Sequence, residues 1–366
     1  MLRFLSAGES HGRGLTAIIE GLPSNMPLSV ENINLMLFER QQGKGRGGRM
    51  RIERDSAEVL SGVRSGRTLG SPLCLYIQNR DWENWKETMN IEGEAVVGRA
   101  LKRPRPGHAD LAGAIKYNHK DLRNVLERAS ARETAIRTAV GAVALQLLKC
   151  FGITVKSDVI SIAGLKLSKD LAKKEEQMEG VIQAAREVGD TVGGVLEITA
   201  VGLPPGLGSY VHHDRKLDGI LAAALMSIQG IKGVEIGLGF DAADLYGSQV
   251  HDEIFYHNEK GYYRKTNNAG GLEGGVTNGN PLVLRCAFKP IPTLAKPLLS
   301  VDMDTKEKMG AGYERSDVCA LESAAVVARA AAAWSLAAEL CNKFGGDSLE
   351  EMRSYYDNYI EYIGTR

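Results

Sequence analysis

The chain has 366 residues, 43% of them apolar and 25% charged, which is enough to bury a large core in one large domain or two. Its 45 basic residues balance its 45 acidic ones, so no global field points to nucleic acid or to an anionic membrane, and any anion site must be local. The five cysteines form no CxxC pair, no signal-like segment opens the sequence, and no uninterrupted apolar run reaches membrane-spanning length, so a cytoplasmic protein with buried thiols is expected.

In chain order, residues 2–5 are a short apolar start running into Gly8-Glu9-Ser10-His11-Gly12, and residues 14–23 alternate as a strand does. His11 at this strand edge is either a ring aimed at a ligand or a loop histidine without a partner. Ser29 caps a helix with Ile33, Met36 and Leu37 at a 3.6-residue period, ending near Arg40. A basic, glycine-rich stretch follows, with Lys44, Arg46, Arg49, Arg51 and Arg54, and a strand is expected over 49–53. An RGG-like nucleic-acid arm and an anion clamp both fit such a composition. The clamp is favoured, because the stretch is short, has no interleaved aromatics and passes straight into a strand.

Strands are expected over 59–63 and 73–78, with Trp82 and Trp85 after them in a polar loop. Residues 103–141 are the densest in chemistry: Arg103, Arg105 and His108, an amphipathic helix, then Arg128, Ser130 and Arg132 where a second helix begins. Ser130 and Glu133 have capping-box spacing, and a helix N-terminus flanked by arginines suits an anion. With Arg103 and Arg105 as its neighbours, His108 is expected to be mostly neutral without substrate.

Further on, 153–162 and 194–203 read as strands, and 171–188 as a charged surface helix. The stretches from Gly14 and from Gly194 both run strand, Gly-Leu-Pro, turn and helix, an echo that suggests an internal repeat. His212, His213 and Asp214 lack a second ligand cluster, so no metal site is expected. A helix over 217–228, a strand over 232–240, a long irregular glycine-rich region over 241–279 and a strand over 281–288 come next. The alanine-rich helix over 322–344 follows Arg315-Ser316-Asp317 and closes on Gly345-Gly346.

GESHG (8–12), RGGRMRIERD (46–55), RPGHADL (105–111), RASARET (128–134), GGLEGG (270–275), KPIPT (289–293) and ERSDVC (314–319) together resemble the chorismate synthase family, in order and over essentially the whole chain. The resemblance implies an α+β fold of helices sandwiched between antiparallel β-sheets, in one domain over 1–366, assembled as a homotetramer. It implies elimination of phosphate from 5-enolpyruvylshikimate 3-phosphate with reduced FMN as cofactor and no net redox change. No nucleic acid, membrane or metal is implied; a different lyase using reduced flavin on another phosphorylated ring acid is the alternative. Periodicity and spacing alone reach α+β and an anion site, but no flavin.

Carried over by motif, His11, His108 and Asp317 are the expected catalytic residues. Ser10, Arg40, Arg46, Arg49, Arg105, Ser130, Arg132 and Arg315 are expected to bind substrate. Arg128, Ala129, Ser130, Gln229, Gly230, Gly274, Lys289, Pro290, Ile291, Pro292, Thr293 and Arg315 are expected to bind FMN. Glu39, Lys44, Gly230 and Glu322 depart from the family's usual residues. Some members of the family reduce flavin with NADPH themselves, and nothing in this sequence assigns the source of reduced FMN.

Overall fold

The computed structural model describes residues 1–45, 54–93, 100–259, 261–312 and 317–366. The chain runs β1 (Arg3–Ala7), β2 (Gly14–Glu20), α1 (Val30–Gln41), β3 (Ala57–Ser61), the hairpin β4 (Val63–Arg64) and β5 (Arg67–Thr68), and β6 (Leu73–Gln78). Helices α2 (Trp82–Trp85), α3 (Asp110–Tyr117), α4 (Arg123–Ala129) and α5 (Thr134–Lys149) complete a first half. The second half begins with β7 (Thr154–Ile162), β8 (Leu165–Lys166), α6 (Leu171–Glu187), β9 (Gly194–Val201), α7 (Leu217–Met226) and β10 (Ile231–Ile236). It continues through α8 (Gly247–Val250), β11 (Ile254–His257), β12 (Gly261–Arg264), the hairpin β13 (Leu272–Glu273) and β14 (Val276–Thr277), and β15 (Leu282–Phe288). The last elements are β16 (Leu299–Val301), β17 (Lys308–Gly310), α9 (Leu321–Phe344) and α10 (Leu349–Gly364).

Two antiparallel sheets, ordered β1-β2-β6-β3 and β8-β7-β9-β15-β10, enclose a helical layer led by α5 and α9. Alternation explains the burial. Leu15, Ala17 and Ile19 of β2 face inward opposite Ile77, Leu75 and Leu73 of β6, and all six are buried. In the second sheet Leu196, Ile198 and Ala200 of β9 pair in the same way with Cys286, Leu284 and Leu282 of β15.

The repeat heard in Gly-Leu-Pro therefore extends through both halves. Thr68 Oγ1 donates to Pro23 O (2.6 Å) and accepts from Met26 N (3.0 Å), while Thr277 Oγ1 donates to Pro204 O (2.7 Å) and accepts from Leu207 N (2.8 Å). Each threonine follows a tight hairpin, with Ser65-Gly66 or Gly274-Gly275 at positive φ, and each opens Thr-x-Gly-x-Pro-Leu-x-Leu into the next strand. The two halves meet where α5 crosses α9: a Cβ on Gly141 would lie 2.3 Å from Ala330 Cβ and 2.5 Å from its Cα, so only glycine permits this approach.

Several expectations change. The strand over 232–240 stops at Ile236, because Gly237 (φ +60) turns the chain against Asn268, so closely that a Cβ on Gly237 would lie 2.1 Å from Asn268 O. The supposedly irregular 241–279 holds α8 and two hairpins. Helix α9 is itself long and apolar enough to cross a bilayer, contrary to the reading of runs, but 61% of its most apolar stretch is buried inside the fold. Of the cysteines only Cys286 and Cys319 are fully buried. The strand expected over 49–53 lies outside the described residues.

Candidate active site

The loop joining β1 to β2 carries Ser10 and His11, both buried. It is held from α4: Ser10 N donates to Glu127 O (3.0 Å), His11 N donates to Glu127 Oε2 (2.8 Å), and His11 Nδ1 lies 2.9 Å from Glu127 Oε1. Burial alone would raise the Glu127 carboxyl, but the bonds to His11 and the charges of His11 and Arg123 outweigh it and hold it below the usual carboxylate range. Trp85, expected in a polar loop, sits on the short α2 and stacks on the His11 ring with centroids 3.9 Å apart.

Beyond α4 the chain turns through a single 3-10 turn, Ala131–Glu133, into α5. Ser130 Oγ accepts from Arg132 N (3.2 Å) and donates to Ser10 Oγ (3.3 Å), so one hydroxyl both caps the turn and reaches the His11 loop. The capping box does not form. Glu133 instead accepts from Gln229 Nε2 (2.8 Å) and Arg137 Nη1 (3.4 Å), tying α5 to the end of α7. Arg132, buried, donates through Nη1 to both oxygens of Asp55 (2.7 Å each) and through Nε and Nη2 to Asn79 Oδ1 (3.0 and 2.8 Å). Arg40 at the end of α1 donates to Thr134 Oγ1 (2.9 Å) and Ala131 O (3.1 Å), with Nη1 3.6 Å from Asp55.

His108 stands before α3, which packs against α4 closely enough that a Cβ on Gly113 would meet Val125 at 2.5 Å. Its Nδ1 bonds Asp110 Oδ1, and Arg105 binds the same carboxylate through Nε (2.8 Å) and Nη2 (3.1 Å). Asp110 is buried, which by itself raises its pKa, but the bonds from His108 and Arg105 prevail and hold the carboxyl well below the usual range. Arg105 does face the ring, its Nη2 lying 3.1 Å from Nδ1 and 3.2 Å from Nε2, but Asp110 faces the same ring, so the arginines are not its only charged neighbours. Lys289 Nζ donates to Gly107 O, beside His108, and Lys289 N donates to Gly230 O (2.9 Å). Burial, and secondarily Lys232, lowers the Lys289 ammonium pKa. Thr191 Oγ1 fixes Ile291 O (2.7 Å), and Pro292 lies 3.5 Å from where a Gly107 Cβ would be.

A run of hydrogen bonds and chain neighbours thus links His108 (through Gly107), Lys289, Gly230, Gln229, Glu133, Ser130, Ser10 and His11. Ala129, Arg128, Arg105, Arg132, Arg40 and residues 290–293 stand on or beside it. Asp317 is placed by its neighbour Val318, whose N–H donates to Gly45 O (2.9 Å) and whose carbonyl accepts from Val192 N (3.0 Å), at the root of the basic segment. That root is fastened by two of the departures from family pattern, since Glu322 Oε2 accepts from Lys44 N (2.6 Å), and by a third, Glu39, which pairs with Arg329. Gly274 is not brought in: it lies on the hairpin at the far end of β15 from Lys289, a seven-residue strand away, with open space where a Cβ would be. Arg46, Arg49 and Arg315 lie outside the described residues.

The residues present fit an anionic flavin mononucleotide. Gln229 Oε1 is buried with no hydrogen-bond partner among the described residues, an acceptor able to take a donor. Gly230 holds φ +91 against the Phe288 ring, and Lys289 supplies a cation beside it. A cleft of about 490 Å³ is lined by Arg128, Arg137, Gln229, Phe4 and Trp334 among others. It shares Arg128 and Gln229 with the expected flavin contacts but touches none of His11, His108 and Asp317, so it adjoins the histidines rather than containing them. Sequence reasoning misses Asp55, Asn79, Glu127, Asp110 and Trp85 as site residues, although Asp55 and Asp110 stand inside the family-like motifs. Among the described residues no cluster suits a metal ion.

Residues 2–341 match the family profile described as chorismate synthase. The chain is 57% identical to a chorismate synthase of Geobacter sulfurreducens over 99% of both chains, and 54% identical to one of Aquifex aeolicus over 99% of this chain and 98% of the other. A crystal structure of a chorismate synthase superposes with a TM-score of 0.80 at 44% identity, covering 100% of this chain and 99% of that one.

Proposed function

The chain belongs to the chorismate synthase family, and from that premise we propose how its residues convert 5-enolpyruvylshikimate 3-phosphate to chorismate. The reaction is a 1,4-elimination: the ring C–O bond to phosphate breaks, a ring proton leaves, and a second ring double bond forms. The observation that carries the reading is the run of hydrogen bonds and chain neighbours from Gly107, next to His108, through Lys289, Gln229 and Ser130 to Ser10, next to His11.

His108, backed at Nδ1 by Asp110, is the general acid at the departing phosphate. Asp317 relays the proton that leaves the ring, and His11 protonates or hydrogen-bonds the cofactor. Arg128, Ala129, Ser130, Gln229, Gly230, residues 289–293 and Arg315 hold FMN. A reduced FMN held by these residues would supply transient electron donation with no net redox change. Gly274, a strand's length from Lys289 in this chain, would join the site from another copy in a homotetramer.

The substrate brings about four negative charges, each needing a charge-assisted hydrogen bond to offset lost water. Arg40, Arg105 and Arg132 already face Asp55 and Asp110, so they orient more than they neutralise. The remaining positive charge falls to Arg46, Arg49, Arg315 and Lys289. His108→Ala tests the assignment: turnover should fall by about two orders of magnitude while FMN affinity, read by fluorescence titration, is largely kept. A variant that keeps wild-type turnover contradicts the role given to His108.

A further inference from the structure

Glu127 has 2% of its side chain exposed, and both carboxylate oxygens are committed to His11: Oε2 accepts its backbone N–H at 2.8 Å, and Nδ1 lies 2.9 Å from Oε1 and 3.0 Å from Oε2. Arg123 Nη1 stands 3.3 Å from Oε1. Trp85 covers one face of the imidazole; its indole Nε1 donates to Asp81 Oδ2 (2.9 Å), and the Arg123 guanidinium lies 5.1 Å from its ring centre. A loop histidine with no task requires none of this, and burying a carboxylate is costly unless its partners are well placed. Among the described residues no hydrogen bond reaches His11 Nε2.

We propose that Glu127 is a positioning residue for His11: it fixes the imidazole in the tautomer protonated at Nδ1, leaving Nε2 as the one ring nitrogen able to exchange a proton with a bound ligand. The inference rests on the place of His11 in the reaction site argued above. An ionised carboxylate only accepts, so the nitrogen facing it must carry the hydrogen. When Nε2 takes up a proton, the fixed negative charge of Glu127 faces the imidazolium; when Nε2 releases it, the neutral Nδ1–H form returns and no other group has to move. Only the proton is transferred, between Nε2 and the ligand, with no change in electron count. His108, from a distant part of the chain, shares the carboxylate at Nδ1, Asp110 with Arg105 on it, and differs in that Arg105 Nη2 also lies 3.2 Å from Nε2. Two such histidines in one site argue for a shared function rather than an accident of packing.

The test is neutron diffraction from flavin-free crystals exchanged into deuterated solvent, paired with kinetics of Glu127→Gln and Glu127→Asp. Deuterium on His11 Nδ1 is expected in the wild type; deuterium on Nε2 with Nδ1 bare overturns the proposal, whether or not any variant folds. Glutamine offers a single acceptor oxygen to two donors, the His11 N–H and Nδ1–H, so E127Q should lose roughly tenfold or more in kcat with little change in KM. E127D, which keeps the charge, should recover part of that loss. A folded E127Q with unchanged kcat and pH profile overturns the proposal. His11→Asn reports separately on the reaction-site reading: full activity there removes His11 from the chemistry, while the tautomer still decides what Glu127 does.

Discussion

Arg132 is the arginine whose surroundings best separate a structural from a ligand-binding duty. Its guanidinium meets Asp55 and Asn79, with 7% of the Arg132 side chain and 1% of the Asp55 side chain exposed. Arg132→Met leaves Asp55 buried with Arg40 at 3.6 Å as the nearest remaining cation among the described residues, and breaking such a pair should cost roughly 3 kcal/mol. A clear drop in the urea midpoint is expected; an unchanged midpoint contradicts it. Asp110 gives a pH signature. Its folded pKa is depressed, so its contribution is present above the unfolded value of about 3.9 and is lost as pH falls from there toward the folded value. Asp110→Asn should therefore be less stable than the wild type near pH 6, with the gap narrowing below about pH 4; a gap of constant size in thermal melts across that range excludes the pairing. Sequence pattern shows Arg132, His108 and Arg105, but not their carboxylates, because a buried acid and a surface acid look the same until the fold brings a partner to them.

Helices α5 and α9 supply the clearest case of a single position controlling an element. In an exposed helix, Gly→Ala gains about 1 kcal/mol. At Gly141 the new Cβ would meet Ala330 Cα at 2.5 Å and its carbonyl oxygen at 2.7 Å, atoms that cannot rotate away. Overpacking should win, and Gly141→Ala is expected to lower stability by roughly 1–3 kcal/mol. Ala330→Gly should rescue it only in part, since the backbone contacts remain; a stabilised Gly141→Ala would refute the close crossing. Helices are legible in the sequence because residues such as Ser29 and Gly345 mark their ends: Ser29 Oγ accepts from Asn32 N at 3.2 Å, and Gly345 turns at φ +55. The hairpin β13–β14 is not, because its two-residue strands are flanked by glycines, whereas β11–β12 carries the strand formers Ile254, Phe255, Tyr256, Tyr262 and Tyr263, a signal that the reading of 241–279 as irregular misses. Ser130 illustrates an ambiguity that only the fold resolves, since its hydroxyl can accept from one partner and donate to another.

The duplication organises the whole molecule. Thr68 and Thr277 occupy equivalent places in different sheets and share no partner, so Thr68→Val and Thr277→Val should each leave a buried N–H unsatisfied, that of Met26 or of Leu207. Each change should cost about 1–3 kcal/mol, and the double variant should lose close to the sum; strong non-additivity in unfolding midpoints would argue against independent halves. Only the Gly-Leu-Pro half of this repeat is audible in the sequence. The matching Thr-x-Gly-x-Pro-Leu-x-Leu runs sit at unequal distances from it in the two halves, and their equivalence emerges from β2–β6 and β9–β15 pairing alike. Periodicity and spacing reach the α+β class, the resemblance supplies the sandwich, and the site's carboxylate framework follows from the fold alone.

One measurement bears on all of this together: anaerobic turnover of 5-enolpyruvylshikimate 3-phosphate by the purified protein with a fixed, small amount of reduced FMN, following flavin absorbance, phosphate and chorismate at once. Phosphate and chorismate should appear in equal amounts, over many turnovers per flavin, with the flavin still reduced at the end. Full activity with oxidised FMN in air, or one equivalent of reductant consumed per chorismate, would contradict it.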